Sequence, residues 1–481
     1  MQKLNEICSC ESKANSETEF VGISCEKSKE DGALETSIIF PLGYFKDDLT
    51  LRELPEEELR ECVVNLFTVL SDPSLQEQIH QDSSISTFAE EHGESEFPMV
   101  SYLNVIRNFL DFGYLDEKEI LYKKGANGKI NWGRTIKAVQ PVITEDAQNL
   151  VYLDFIARKV SYNEDTLITQ VHKFCVHDAL VKLGFLFGIE PSEEPLLDFD
   201  YDLFCNAIHS KLAKTFNDRD LRLLADLARI VEYLAGHRTE DGKIANGFYF
   251  GVKKFAPVWE AMVDKIFGKL PQGVAKDKFN PHCEWDLSSG ARGYENPNYA
   301  MRPDTIMWDE EGNRLYVLDA KYYKFGMTGS AADLPSSGSI CKQIAYAEYV
   351  ETHWKTILGA DSIATPSASL QNDTLPKPIY NAFLLPYCFD ADNSQLPPDD
   401  GFETRPCKMR FIGHCHGNWK NLDARPGEDD YRPYHRIAGI LLDVRSVMEN
   451  YGAFGEAQKT LAELLPIKYI ERQEEFLAPS L

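Results

Sequence analysis

The chain has 481 residues, 43% of them hydrophobic, and a formal net charge of −26. That length suffices for two or three domains with sizeable cores, and no stretch approaches the roughly 18 apolar residues a membrane helix needs. The charge has the wrong sign for a protein that coats nucleic acid unaided.

The eleven cysteines follow no repeating spacing, and no charged start leads into an apolar run. A cytoplasmic protein with reduced thiols is expected, rather than an exported disulfide framework. The charge is unevenly placed. Residues 1–120 carry 9 Lys/Arg against 26 Asp/Glu. From Leu121 to Thr144 there is no acid, while Lys123, Lys124, Lys129, Arg134 and Lys137 supply five cations. One basic surface is therefore compatible with an acidic chain, although tight DNA binding is expected to need a partner.

In chain order, residues 1–35 are rich in Ser, Glu and Lys and predict a loose tail. An accessory domain is expected over 36–163. Pro55-Glu-Glu-Glu opens a helix with acids in its first turn, and Val63, Leu66 and Leu70 give it an apolar side. A second helix, Tyr102 to Phe112, turns Val105, Phe109 and Leu110 to one side before Gly113 stops it. Gly125-Ala-Asn-Gly128 makes a tight turn between strand-like pieces. Helix, helix and hairpin in that order suggest a winged-helix-like module. In Gly128 to Lys137, cations interleave with Trp132, a composition that grips phosphate while the indole stacks or wedges. It equally suits an indole packed under a neighbouring domain, or a surface that meets a partner.

A third part spans 164–481. Residues 165–187 predict a long helix with Leu167, Val171, Phe174, Leu180 and Leu183 on its apolar side, and Asp218 to Ala235 predicts another. Asp198, Asp200 and Asp202 lie in an expected exposed loop. His172, Cys175 and His177 do not share one helix face, and His414-Cys-His416 lacks a further paired ligand motif. Both clusters read as packing rather than zinc sites.

The chemistry centres on Arg302-Pro303-Asp304 to Trp308 and Arg314-Leu-Tyr-Val-Leu-Asp319-Ala-Lys321. Two strand-like segments flank a Gly-Asn turn, and the second is apolar from Leu315 to Leu318, as in a buried strand. A carboxylate at the end of such a strand needs a cation, a metal or several donors. Alternation puts Asp319 and Lys321 on one face, and antiparallel pairing brings Asp304 beside them. Two carboxylates and a lysine at one point fit phosphodiester hydrolysis. Hard oxygen ligands with open water positions favour Mg²⁺, with Mn²⁺ as its expected substitute, and the carbonyl of Ala320 is available to complete the coordination. The lysine would orient water or stabilise the transition state.

Upstream, Phe255 to Phe267 predicts a helix with Trp259 on its inner side and Glu260 one residue from that stripe. Glu260 either pairs with Lys253, Lys254 or Lys265, or reaches the metal site as a further acid. Downstream, Ser339 to Tyr349 predicts a helix on which Gln343 either bonds the attacking water or DNA, or is simply solvated.

The Trp-Glu helix, Pro-Asp strand, Asp-Ala-Lys strand and Lys342-Gln-x-x-Tyr346 helix together resemble the PD-(D/E)xK nucleases. Gly128-Lys-Ile-Asn-Trp-Gly-Arg-Thr-Ile136 and Leu167-Ile-Thr-Gln-Val-His-Lys-Phe-Cys175 resemble, more specifically, the LlaJI family of restriction endonucleases. With the nuclease core, the resemblance spans Ile120 to Tyr451. It implies an α/β fold with a restriction-endonuclease-like core, a mixed central sheet flanked by helices, and an N-terminal accessory domain. It also implies a Mg²⁺-dependent deoxyribonuclease that cuts double-stranded DNA. Asp304 and Asp319 would hold metal, Lys321 would assist the water, and Glu260 and Gln343 would support them. The expected partners are a separate AAA+ GTPase, a cognate methyltransferase and a second copy of the chain. The chain carries no G-x-x-x-x-G-K-[ST] phosphate loop of its own. A binding subunit without catalysis, or a repair nuclease of the same fold, are the alternatives.

Overall fold

The computed structural model describes residues 8–12, 20–27 and 34–72; 97–143 except 116 and 126; and 150–237 except 164–165 and 192–193. It further describes 247–358 except 289, 291–293 and 296–300; 378–389; and 402–477 except 403–404, 406, 425–427 and 452–453. The chain folds as two compact units, Met1–Gln2 with Glu94–Asn246, and Lys3–Gly93 with Gly247–Leu481. These divisions depart from the expected ones at 36 and 164, because strands far apart in sequence pair with each other. No helix among the described residues is long and apolar enough to cross a membrane.

The expected loose tail is instead the start of a sheet. Strand β1 (Cys8–Ser12) runs parallel to β3 (Leu34–Phe40), and β2 (Val21–Lys27) pairs antiparallel with β3. Val21, Ile23 and Cys25 alternate into the core, which sets the register because a one-residue slip would expose all three. Helix α1 (Asp48–Glu53) is capped by Asp47, whose carboxylate accepts from Thr50 N at 2.8 Å. Helix α2 (Glu56–Leu70) begins with three glutamates and buries Leu59, Val63, Leu66 and Leu70, as its pattern predicts.

The other unit follows. It contains α3 (Met99–Phe112), β4 (Glu117–Lys124), β5 (Lys129–Ile130), α4 (Trp132–Ala138), β6 (Val142–Ile143), β7 (Leu150–Val151) and β8 (Ile156–Asn163). Helices α5 (Leu167–Phe187), α6 (Tyr201–Leu212) and α7 (Asp218–Gly236) complete it. The strands on either side of the Gly125–Gly128 turn are not partners, contrary to the expected hairpin. Strand β8 lies between them and pairs antiparallel with both. Polar contacts tie the helices together. Asp226 of α7 accepts from Ser101 Oγ at 2.9 Å, and Tyr102 donates to Asp178 of α5 at 2.6 Å. Asp200, expected in an exposed acidic loop, caps α6 by accepting from Leu203 N at 3.0 Å.

The remainder returns to the first unit. Strand β9 (Phe248–Val252) joins the far side of β2, closing the order β1-β3-β2-β9. Helix α8 (Ala256–Phe267) and a short antiparallel pair, β10 (Glu284–Trp285) and β11 (Tyr294–Glu295), precede β12 (Thr305–Asp309) and β13 (Arg314–Ala320). Then come α9 (Phe325–Thr328), α10 (Ser337–Ile357), β14 (Ile379–Tyr387), β15 (Met409–His416), β16 (Arg436–Asp443), α11 (Val444–Glu449) and α12 (Phe454–Leu477).

The main sheet has the order β12-β13-β14-β16-β15. Its three inner strands are mutually parallel and its outer pairs antiparallel. Buried on both faces, the inner strands are almost wholly apolar. On one face, Tyr346, Ala347, Val350, Trp354 and Ile357 of α10 pack on Ile306, Trp308, Leu315 and Val317. On the other, Trp259 of α8 donates to Leu384 O at 3.4 Å, and Tyr316 donates to Ala462 O of α12 at 3.4 Å. The fold is thus a mixed α/β architecture with helices on both faces of the sheet. The rings of His414 in β15 and Tyr469 pack edge to face.

His172, within the helical unit, offers a test of this packing. It is fully buried, and its Nδ1 accepts from Leu115 N at 3.0 Å. Burial pulls its pKa down to about 4, below the ordinary value near 6.5, so the folded chain holds it neutral. The resulting stabilisation is complete above pH 6.5 and falls as pH drops towards 4, where only the unfolded chain takes the proton. Denaturant unfolding at pH 7.5 and pH 4.5 should show His172→Asn losing roughly 2–3 kcal/mol less than wild type over that interval.

Candidate active site

Strands β12 and β13 form a hairpin whose turn needs a left-handed residue. Asn313 supplies it at φ 47°, and Asp309 accepts from Gly312 N at 3.1 Å. From this turn the register runs Asp309↔Arg314 to Thr305↔Leu318. One step beyond the ladder, Asp304 therefore faces Asp319. Odd positions of β13 point towards α10, so Asp319 continues the row begun by Leu315 and Val317 and emerges where the apolar packing ends.

The three expected residues converge. Lys321 Nζ lies 2.6 Å from Asp319 Oδ2 and 3.9 Å from Asp304 Oδ2. The N–H of Ala320 donates to Asp304 Oδ2 at 2.9 Å, so Asp304 is gripped by the backbone of the strand that carries Asp319. Burial raises the Asp304 pKa well above the ordinary carboxylate range, with Asp319 and then Glu260 adding to the effect and Lys321 opposing it. Burial works against the Lys321 ammonium too, but Asp319 and Asp304 outweigh it and hold its pKa above the usual value. Two acids thus share one ammonium, and Asp304 is held towards its neutral form. A divalent cation would favour the ionised form of both.

The donor set fits a small hard ion. Among the described residues no three His, Cys, Asp or Glu side chains come together as a ligand group. The carboxylates that face each other at this point are Asp304 and Asp319. Mg²⁺ commonly binds through one or two carboxylates and keeps several waters. Glu260, exposed on α8, acts on Asp304 through its charge but lies outside any three-carboxylate set. For Ala320, the N–H rather than the carbonyl is what engages Asp304.

Gln343 departs from expectation. It is fully buried beneath the sheet, and its Nε2 donates to Val317 O at 2.7 Å. A solvated amide does not fit that position. It braces β13 two residues before Asp319. Tyr346, on the same helix, lies closer to the chemistry. Burial raises its pKa to about 12, with Asp319 and Asp304 contributing, and the backbone of Arg302 hydrogen-bonds it. Lys276 was missed by sequence reasoning. Its ammonium meets the backbone carbonyl of Asp304 from a 3-10 turn, Lys276–Phe279, that no local motif marks.

In the other unit, Lys123, Lys124, Lys129, Arg134 and Lys137 are all exposed. Arg134 stacks its guanidinium 3.8 Å over the Tyr122 ring, and Lys124 pairs with Asp154 at 2.6 Å. Trp132 is 52% exposed, with the edges of Tyr152 and Phe155 against it. Val142, Ile143, Leu150 and Val151 of the adjoining β6–β7 pair are exposed as well.

A mixed sheet between helix layers, with two acids and a lysine at the end of its edge hairpin, defines a nuclease-like α+β protein. The chain belongs to the LlaJI restriction endonuclease family, whose sequence model matches residues 48–394. The match begins well before Ile120, so about half of the acidic first hundred residues belong to the family region. The chain is also similar to the Type II restriction enzyme BsuMI component YdjA of Bacillus subtilis (strain 168). Identity is 25% over 248 residues, 50% of this chain and 51% of that protein. The chain thus spans about half the length of this curated relative. Among solved structures, it is similar to a chain of the half-complex from a tetradecameric assembly of Thermococcus gammatolerans McrB AAA+ hexamers with bound McrC. There the identity is 13% and the TM-score 0.34, over 93% of this chain and 82% of the other. A likeness that loose fixes no detail of the fold.

The position of Gln343 predicts a stability effect. Gln343→Leu removes the side-chain donor on the Val317 carbonyl, which keeps its place in the β13–β14 ladder, and should cost roughly 0.5–1.5 kcal/mol in denaturant unfolding. Unchanged stability combined with loss of DNA cleavage would instead give Gln343 a direct part in the chemistry.

Proposed function

We propose that the chain is the nuclease subunit of a restriction system and hydrolyses phosphodiester bonds of double-stranded DNA in a Mg²⁺-dependent reaction. The observation that carries this reading is the convergence of Asp304, Asp319 and Lys321 at the end of a buried hairpin. Asp304 and Asp319 would hold Mg²⁺, with Mn²⁺ able to replace it. The ion would lower the pKa of a bound water and neutralise charge at the scissile phosphate. Lys321, kept protonated by the two acids, places its ammonium where negative charge grows on the phosphoryl oxygens in the transition state. Glu260 adds to the negative field. Gln343 supports β13 through the carbonyl of Val317.

Partners belong to the same proposal. The Bacillus subtilis relative is named as a component of a restriction enzyme, which favours action within an assembly. An AAA+ GTPase motor, a protective methyltransferase and a second copy of the chain are the proposed companions, and the cytoplasm the proposed compartment. The exposed cations Lys123, Lys124, Lys129, Arg134 and Lys137, with Trp132 among them, are the proposed DNA contact. The family assignment favours restriction over repair. The convergence of two mutually unfavourable acids favours a working site over a retired one, because an idle site has no reason to keep them together.

Cleavage of unmethylated plasmid by the purified chain, with Mg²⁺ or Mn²⁺ and with the motor subunit and its nucleotide if needed, tests the centre. Asp319→Ala should reduce cutting by roughly 10³-fold. Cutting that persists in the variant would remove the site assignment. In a separate binding assay, Arg134→Glu with Lys137→Glu should weaken DNA association by about tenfold or more and flatten its salt dependence. Unchanged binding would move the DNA contact elsewhere.

A further inference from the structure

Strand β12 is the edge of the main sheet, so every second backbone group faces away from β13 and needs a partner. A stretch of chain after α8 supplies partners for two of them. Lys269 N donates to Ile306 O at 2.9 Å, and Trp308 N donates to Lys269 O at 2.7 Å. The same alternation turns the carbonyl of Asp304 outwards, two residues before Ile306. By that point the covering chain has left the ladder. Among the described residues no backbone N–H meets Asp304 O. The ammonium of Lys276 takes the place, with Nζ 2.5 Å from that oxygen.

Lys276 is itself held from three sides. Its Nζ lies 2.7 Å from Asp264 Oδ2, one turn beyond Glu260 on α8. Upstream, the Lys269–Met307 bridge pins the covering chain to the edge. Downstream, Phe279 is fully buried against Ile306, Trp308 and Val317, which fixes the 3-10 turn that begins at Lys276. Asp304 has Pro303 before it, a residue with no backbone N–H to offer, and lies just outside the ladder. Ala320 N–H and the more distant Lys321 ammonium hold its carboxylate, while Lys276 holds its carbonyl.

We propose that Lys276 is a positioning residue for the nuclease centre, anchored by Asp264, which sets the backbone of Asp304 so that its carboxylate lies beside Asp319 ready to take the divalent ion. This rests on the reading of Asp304 and Asp319 as metal ligands. Lys276 acts through Asp304 and needs no contact with substrate. Without its ammonium, Asp304 keeps its carboxylate contacts with Ala320 and Lys321 but loses the one on its carbonyl, and its backbone rotates more freely about the strand end. The ion then has to order its own ligand. Loss of such outer support typically costs 10- to 100-fold in metal affinity.

Two measurements on the full chain test this. One is Mn²⁺ binding by calorimetric titration. The other is hydrogen exchange of residues 302–309 in the metal-free protein, with β14 as internal reference. Lys276→Met should weaken Mn²⁺ binding by about tenfold and speed exchange in 302–309 while β14 stays protected. Lys276→Arg should recover most of the affinity, and Asp264→Asn should give a smaller loss of the same kind. If Lys276→Met binds Mn²⁺ as wild type does while Asp319→Ala loses binding, the positioning role is wrong and the metal centre stands. If wild type itself binds no Mn²⁺, the reading of the centre fails and the proposal falls with it. Should Lys276→Met unfold, Lys276→Arg and Asp264→Asn decide. Near-wild-type affinity for the first with a partial loss for the second supports the proposal, and full affinity in Asp264→Asn overturns it.

Discussion

Antiparallel pairing of β12 with β13 sets Asp304 opposite Asp319, and the surrounding structure has to accommodate that juxtaposition. Desolvation disfavours the charged form of Asp304 and the facing Asp319 adds repulsion when both are ionised, so Asp304 resists losing its proton. The chain offsets the conflict only in part. Lys321 bonds Asp319 closely and reaches Asp304 at a longer distance, and the N–H of Ala320 stabilises one oxygen of Asp304. A pair of acids left under-compensated in this way is a poor contribution to stability and a good receptor for a cation.

Holding such a pair requires a stiff frame. The hairpin is clamped between α10, which packs on Ile306, Trp308, Leu315 and Val317, and α8 with α12 on the opposite face. Gln343 and Lys276 complete the frame with polar contacts to backbone carbonyls, one at Val317 and the other at Asp304. Both side chains spend their donors on the scaffold. Rigid support of this kind keeps ligand atoms in place without an ion to organise them.

Much of this frame is legible in the chain itself. The apolar run Leu315 to Leu318, ended by Asp-Ala-Lys, announces a buried strand that stops at a charged site. The Gly312-Asn313 turn supplies the hairpin, and antiparallel register then pairs Asp304 with Asp319. Helices α2, α5, α7 and α8 follow from their apolar spacing within a few residues. Other features were illegible for definite reasons. Alternation in Val21, Ile23 and Cys25 is too short a signal inside a polar tail to stand out. Its partner β9 lies more than two hundred residues away. The Gly125–Gly128 turn reads locally as a hairpin, but β8, from about thirty residues on, lies between its arms and pairs with both, a long-range choice that no turn residue encodes.

What the sequence determined by itself is local. The periods of the helices, the hairpin turn and the identities of Asp304, Asp319 and Lys321 are properties of short stretches, governed by backbone geometry and the cost of burying charge. The tertiary structure decided the rest. It buried Gln343 against the carbonyl of Val317, set the charge of Glu260 to act on Asp304, and brought Lys276 from 28 residues upstream onto the carbonyl of Asp304. Burial and hydrogen-bond partnership across the sheet depend on which segments meet, and that is settled by packing of the whole core rather than by any neighbouring residues in the chain.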